Sequence, residues 1–100
     1  MLKNVAFKDR VDIVVNWLML SVDITFFYLY EPDSTGHSYG PDSIKYYEML
    51  GELDDLLGYL IGQLKAKKIY DKLNLIIVSD HGMSQLYENQ NVLIGDYITN

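Results

Sequence analysis

Along residues 7–20 the apolar positions Val11, Val14, Val15 and Leu18 recur at helical steps, with Lys8, Asp9, Arg10 and Asp12 in the first turns. That spacing puts one apolar stripe on a short amphipathic helix, although β-branched valines are indifferent helix formers. The pattern then changes. Ile24-Thr25-Phe26-Phe27-Tyr28-Leu29-Tyr30 is an unbroken β-branched, aromatic and aliphatic run that stops at Glu31-Pro32. A continuous run of this kind predicts a strand buried on both faces, and proline cannot extend its ladder. Residues 31–41, punctuated by Pro32, Gly36, Gly40 and Pro41, read as a loop. Ile44, Tyr47, Leu50, Leu53, Leu57, Leu60, Ile61 and Leu64 mark a long helix over 42–68, with Asp42 or Ser43 as its cap. Acids lie early in that helix and Lys65, Lys67 and Lys68 late, as the helix dipole favours. Gly51, Gly58 and Gly62 weaken it but would allow close approach to a sheet. Leu73-Asn74-Leu75-Ile76-Ile77-Val78-Ser79 predicts a second buried strand, 80–90 a second loop, and 91–100 the start of another element.

Strand, long helix and strand in this order predict an α/β fold: a right-handed βαβ portion of a mostly parallel sheet flanked by helices. The domain is incomplete on this reading. In open parallel sheets ligands bind beyond the carboxyl ends of the strands, which is where both loops fall.

Composition adds bounds rather than structure. The 100-residue chain is 49% apolar and 22% charged, enough for one small core but too little for a large enzyme complete in itself. With no cysteine it has neither a disulfide framework nor a thiolate metal site, which leaves its compartment open. Fourteen acidic against eight basic residues, a net charge of −6, argue against a nucleic-acid polymer as partner. A cation-centred site for a phosphate-bearing small molecule is compatible with that charge, because a bound cation reverses the local field. Asp12, Asn16 and Asp23 interrupt the apolar stretch 11–30, so no transmembrane segment is expected. The N-terminus has no apolar signal-peptide core, so the chain as written is expected to have no route into the secretory pathway.

The chain has two histidines, and each stands beside an aspartate directly after a predicted strand. Asp33 and His37 lie in Glu31-Pro32-Asp33-Ser34-Thr35-Gly36-His37, and Asp80 and His81 in Ser79-Asp80-His81-Gly82-Met83. Carboxylate oxygen and neutral imidazole nitrogen are normal zinc ligands, and carboxylates also suit manganese. Gly36 and Gly82 would let the backbone turn sharply so that each pair converges. Two such pairs fit two metal ions, each half supplied here and completed from elsewhere. The bland reading of either pair alone is an ordinary hydrogen-bonded surface pair. Other features read as structural: the tyrosines at 28, 30, 39, 46 and 47 as packing, the acids at 48, 52, 54 and 55 as a solvated face, and Met83 as a buried spacer.

These residues carry a resemblance. Tyr28-Leu29-Tyr30-Glu31-Pro32-Asp33-Ser34-Thr35-Gly36-His37-Ser38-Tyr39-Gly40-Pro41, followed by Leu73-Asn74-Leu75-Ile76-Ile77-Val78-Ser79-Asp80-His81-Gly82-Met83, resembles the ectonucleotide pyrophosphatase/phosphodiesterase family of the alkaline-phosphatase superfamily. The upstream Asp9-Arg10-Val11-Asp12 and Asn16-Trp17-Leu18 are similar to the family's preceding helix, so the likeness covers about residues 7–98.

The resemblance implies that Asp33 and His37 are two ligands of one catalytic zinc, completed by a histidine downstream. It implies that Asp80 and His81 are two ligands of a second zinc, completed by an aspartate and a nucleophilic threonine upstream. Zinc, a covalent phospho-threonine and hydrolysis of phosphodiester or pyrophosphate bonds of nucleotides, or in some members of choline lipids, follow as expectations. So does an extracellular or membrane-anchored location for the full-length family. Thr35 lies between two ligand positions, but the resemblance does not put the nucleophile there. By itself the 100-residue chain is expected to be inactive. The chain departs from the family pattern in a shorter connection between Leu20 and Ile24, and in Tyr30 where relatives often carry an acid. Two alternatives remain: a phosphomutase or sulfatase of the same superfamily, and a non-catalytic remnant that folds or associates without turnover.

Overall fold

The valine stripe does make a helix: α1 spans Phe7–Met19 and buries Val11, Val14 and Val15. In the computed structural model, which describes residues 5–20, 22–87, 94, 97 and 98, it is followed by α2 (Asp33–Tyr39), α3 (Ile44–Ala66) and a 3-10 turn (Tyr70–Lys72). Of the two expected caps, Ser43 serves: its hydroxyl accepts from the Tyr46 amide at 3.2 Å, offsetting one of the open donors at a helix start. The element expected over 91–100, residues 88–90 of the second loop and residues 1–4 lie outside the described residues, apart from 94, 97 and 98.

Helices α1 and α3 pack through Val11 and Val15 against Leu60 and Leu64, with Leu56, Phe27 and Leu73 around them. Only the C-terminal half of the α3 stripe is covered in this way. Ile44 and Tyr47, on the same predicted stripe, stand 77% and 64% exposed. The glycines of α3 do not serve close packing: at Gly51, Gly58 and Gly62 an added Cβ would meet open space.

The expected parallel sheet is not there. Among the described residues the chain is helical and has no strand. Residues 24–30 are extended but unladdered, and their burial alternates: Thr25, Phe27 and Leu29 are half-buried while Ile24, Phe26 and Tyr28 are exposed. Only Leu73 of the second run reaches the core, and Ile76 and Val78 are exposed. The physical reason lies in what an apolar run can specify. It makes burial on both faces favourable, but a ladder also needs a second backbone alongside to take its amides and carbonyls. Here α1 and α3 pack on one another, and each extended segment has at most one face against them.

The consequence is a large surface. The accessible area is 8462 Å², against about 5800 Å² for a folded monomer of this mass. The radius of gyration is 19.0 Å, against about 13 Å for a self-contained 100-residue domain.

Two polar contacts lock the helix pair in register. The Tyr59 hydroxyl donates to Asp12 Oδ1 at 2.7 Å, and the Lys8 ammonium lies 4.5 Å from the centre of the Tyr59 ring. The Asp12 hydrogen bond, then burial and the negative charges of Asp12 and Asp9, raise the Tyr59 hydroxyl above its ordinary 10.0. A phenol raised on folding adds stability that is fully present below its unfolded value and is lost as pH rises through the folded one. Alkaline titration followed by tyrosinate absorbance and ellipticity should show helix loss coinciding with a tyrosine step raised above the ordinary value. Tyr59→Phe should remove that step and lower stability at neutral pH. An unaltered alkaline unfolding curve in the variant would show that this contact does not hold the helices.

Farther along, Phe7 meets Tyr30 edge-on with ring centres 5.2 Å apart, and Arg10 lies against both rings. Tyr30 thereby ties the end of the extended segment to the start of α1. Of the tyrosines read as packing, Tyr46 is half-buried and Tyr30, though exposed, packs edge-on against Phe7, whereas Tyr28, Tyr39 and Tyr47 are exposed. The acids at 48, 52, 54 and 55 form the solvated face expected of them.

Candidate functional site

The expected loop at 31–41 is largely a helix. Glu31 makes this favourable locally: its Oε2 accepts the Thr35 amide at 3.0 Å, and the Gly36 amide bonds the Pro32 carbonyl at 2.9 Å. A carboxylate at a helix start satisfies an open N–H and complements the dipole. Sequence reasoning missed this role of Glu31; an acid four residues before the amide it caps is the signal that was available. The helix matters because it makes Asp33 and His37 an i, i+4 pair on one face. Asp33 Oδ1 stands 3.4 Å from His37 Nε2. Thr35, two residues from each, falls on the other side of the turn.

The second pair comes to the same face. His81 Nε2 lies 3.5 Å from Asp33 Oδ1 and 3.8 Å from Asp80 Oδ1. All four residues singled out in the sequence are thus connected, and the link is one oxygen. The single atom Asp33 Oδ1 is buried and has no hydrogen-bond partner, although the Asp33 side chain as a whole is 43% exposed and the imidazoles beside it 75% and 54%. Both N···O distances are too long for a good hydrogen bond. The Asp33–His37 separation of 3.4 Å is close to the edge of about 3.3–3.4 Å between two ligands of one tetrahedral zinc with bonds of 2.0–2.1 Å, whereas His81 and Asp80 stand farther apart, at 3.8 Å.

His81 is oriented from behind. Its Nδ1 lies 2.9 Å from the Gly82 carbonyl, and the Ser79 hydroxyl donates to the His81 carbonyl. With the proton on Nδ1, donating to Gly82, the Nε2 lone pair faces Asp33 and Asp80. An imidazole lone pair against carboxylate oxygens is unfavourable unless a proton or a cation lies between them. The bond to Gly82, then the charge of Asp80 and that of Asp33, accordingly raise the His81 pKa above 6.5.

These donors fit zinc by type and by separation, but they meet as pairs. Among the described residues no group of three or more His, Cys, Asp or Glu side chains forms a cage able to hold a metal ion. With no third donor completing either pair, the site is not closed by the described residues. The glycines also act differently from expectation. Gly36 lies inside α2, and among the described residues only Gly40 is a glycine at positive φ, 83°. No sharp turn depends on Gly82.

No helix among the described residues is long and apolar enough to cross a membrane. The sequence profile of the family described as type I phosphodiesterase / nucleotide pyrophosphatase matches residues 2–100. Human ectonucleotide pyrophosphatase/phosphodiesterase family member 5 is 40% identical over 98 residues, covering 96% of this chain and 20% of that protein. Mouse bis(5'-adenosyl)-triphosphatase enpp4 is 45% identical over 91 residues, 87% of this chain and 20% of its own length. Human family member 1 is 43% identical over 86 residues, 82% of this chain and 9% of the relative. The chain therefore spans about a fifth or less of these relatives. With both Asp–His motifs inside the matched span, the chain belongs to the type I phosphodiesterase / nucleotide pyrophosphatase family.

Proposed function

We propose that this chain carries four metal ligands of a zinc-dependent phosphodiesterase that hydrolyses phosphodiester or pyrophosphate bonds of nucleotides. Asp33 and His37 serve one ion, Asp80 and His81 the other. The observation that carries the reading is Asp33 Oδ1, buried, without a hydrogen-bond partner, and flanked by two imidazole nitrogens. An acceptor so placed is costly unless a cation satisfies it. Zinc held there would supply Lewis acidity toward a phosphoryl oxygen and offset charge developing on the phosphorus centre. The chain's own part is to present the donors: α2 fixes Asp33 and His37 one turn apart, and the Gly82 carbonyl holds His81 with Nε2 outward. The nucleophile in this reading is a threonine outside residues 1–100, not Thr35. A nucleotide substrate accords with the adenosyl triphosphate named for one relative.

Calorimetric titration of the chain with zinc tests the reading. Uptake is expected, and His37→Ala and His81→Ala should each weaken it by more than about 100-fold, since even outer-shell partners of metal ligands cost 10–100-fold. Absence of uptake, or uptake indifferent to both substitutions, would favour the non-catalytic alternative.

A further inference from the structure

How His81 comes to share an oxygen with Asp33 has a physical cause of its own. Gly36 inside α2 and Gly40 at its C-cap are four residues apart, leaving a strip of bare backbone at the C-terminal end of the helix. Residues 82–87 have no regular secondary structure and run along it with Met83 and Gln85 half-buried and Gly82, Ser84 and Leu86 exposed, the two-residue alternation of an extended chain. At Gly36 an added Cβ would overlap the Met83 sulfur and stand 2.9 Å from its methyl and 3.1 Å from the Tyr46 ring. At Gly40 it would overlap the Gln85 amide oxygen and lie 3.3 Å from its Cδ. Four residues of helix rise about 6 Å and two residues of extended chain about 6.6 Å. The two repeats therefore match, and Met83 over Gly36 with Gln85 over Gly40 sets one register. His81 stands two residues before Met83, so the same step continued brings it to position 32, at the start of α2 beside Asp33, whose Oδ1 it approaches at 3.5 Å.

We propose that Met83 and Gln85, resting on the Gly36–Gly40 face of α2, are positioning residues that hold His81 at the Asp33 carboxylate. They touch neither substrate nor cation; they set how far apart the ligand pairs stand. The inference rests on the metal reading, and its test separates the two. Gly36→Ala should be nearly silent, because the flexible thioether can swing aside. Gly36→Leu fills the place of the thioether, and Met83→Ala removes the anchor without crowding the helix. Each should weaken cobalt uptake by about 10–100-fold, the range for residues that orient metal ligands, and alter the visible cobalt spectrum, which reports the coordination of the ion. The double variant, with the two sizes exchanged, should recover the native spectrum and affinity to within a few-fold, as coupling between contacting residues requires.

Far-ultraviolet ellipticity controls for folding, and a cross-peak between the Met83 methyl and the Gly36 Hα reports the register without any metal. A native cobalt spectrum retained in both single variants overturns the inference and leaves the metal reading intact. A native chain that gives no cobalt band defeats the metal reading, and the register claim then stands or falls on that cross-peak: present in the native chain and lost in Gly36→Leu, it stands; absent from the native chain, it fails.

Discussion

Replacing Leu64 by alanine is expected to undo the α1–α3 pair. Leu64 is 2% exposed and one of very few fully buried side chains, facing Val11 and Val15 across the helix contact. A buried leucine cut to alanine costs about 2–5 kcal/mol through lost transfer free energy and the cavity left behind. Whole domains are stable by only about 5–15 kcal/mol, and this core is small for the length of chain it organises. The 13-residue α1 has little to retain its helicity once detached, because isolated helices of about that length are marginal in water. Urea unfolding followed at 222 nm and by fluorescence of Trp17, the single tryptophan, on α1, should show a shifted or absent transition. Leu64→Met, which conserves volume, should cost less than about 1.5 kcal/mol. Ile44→Ala, on the exposed part of the same stripe, should cost within about 0.5 kcal/mol. Equal effects at Leu64 and Ile44 would mean that the helix contact contributes nothing.

The second large effect is expected at Asp33. Asn is nearly isosteric, so Asp33→Asn removes charge while leaving shape. Because Oδ1 faces both His37 and His81, the loss touches both Asp–His pairs at once. Asp80 is 76% exposed in its side chain and 3.8 Å from His81, so Asp80→Asn should cost less. The expected order of zinc affinity is native, then Asp80→Asn, then Asp33→Asn, the last weaker than native by more than about 100-fold, beyond the range for outer-shell partners. A cycle combining Asp33→Asn with His81→Ala should be far from additive, as for groups sharing one partner. Equal losses at the two aspartates would contradict a shared role for the Asp33 oxygen.

Much of this was legible in the residues. The α1 stripe at 11, 14, 15 and 18 and the start and end of α3 follow from periodicity and from the Ser43 cap. All four Asp and His positions were legible as candidate donors from their placement after the two apolar runs, and the structure brings them together around Asp33. Less legible was α2. Residues 31–41 look like a loop because Pro32, Gly36, Gly40 and Pro41 punctuate them, yet Glu31 supplies the acceptor that lets a helix start. The apolar runs at 24–30 and 73–79 record a propensity for burial, not the presence of a neighbouring strand. That is why the expected sheet is absent among the described residues while the helix pair beside it is present.

The sequence by itself determined the chemistry on offer: two Asp–His pairs, one spaced by four residues and one adjacent, and two amphipathic helices able to bury a stripe. These are local properties, set by side-chain type and by the 3.6-residue turn. Only the tertiary structure decided that the pairs join through Asp33 rather than standing apart, and that Gly36 in α2 and Gly40 at its C-cap receive Met83 and Gln85. Those outcomes depend on which backbone lies against which, and no periodicity within one segment specifies its neighbour.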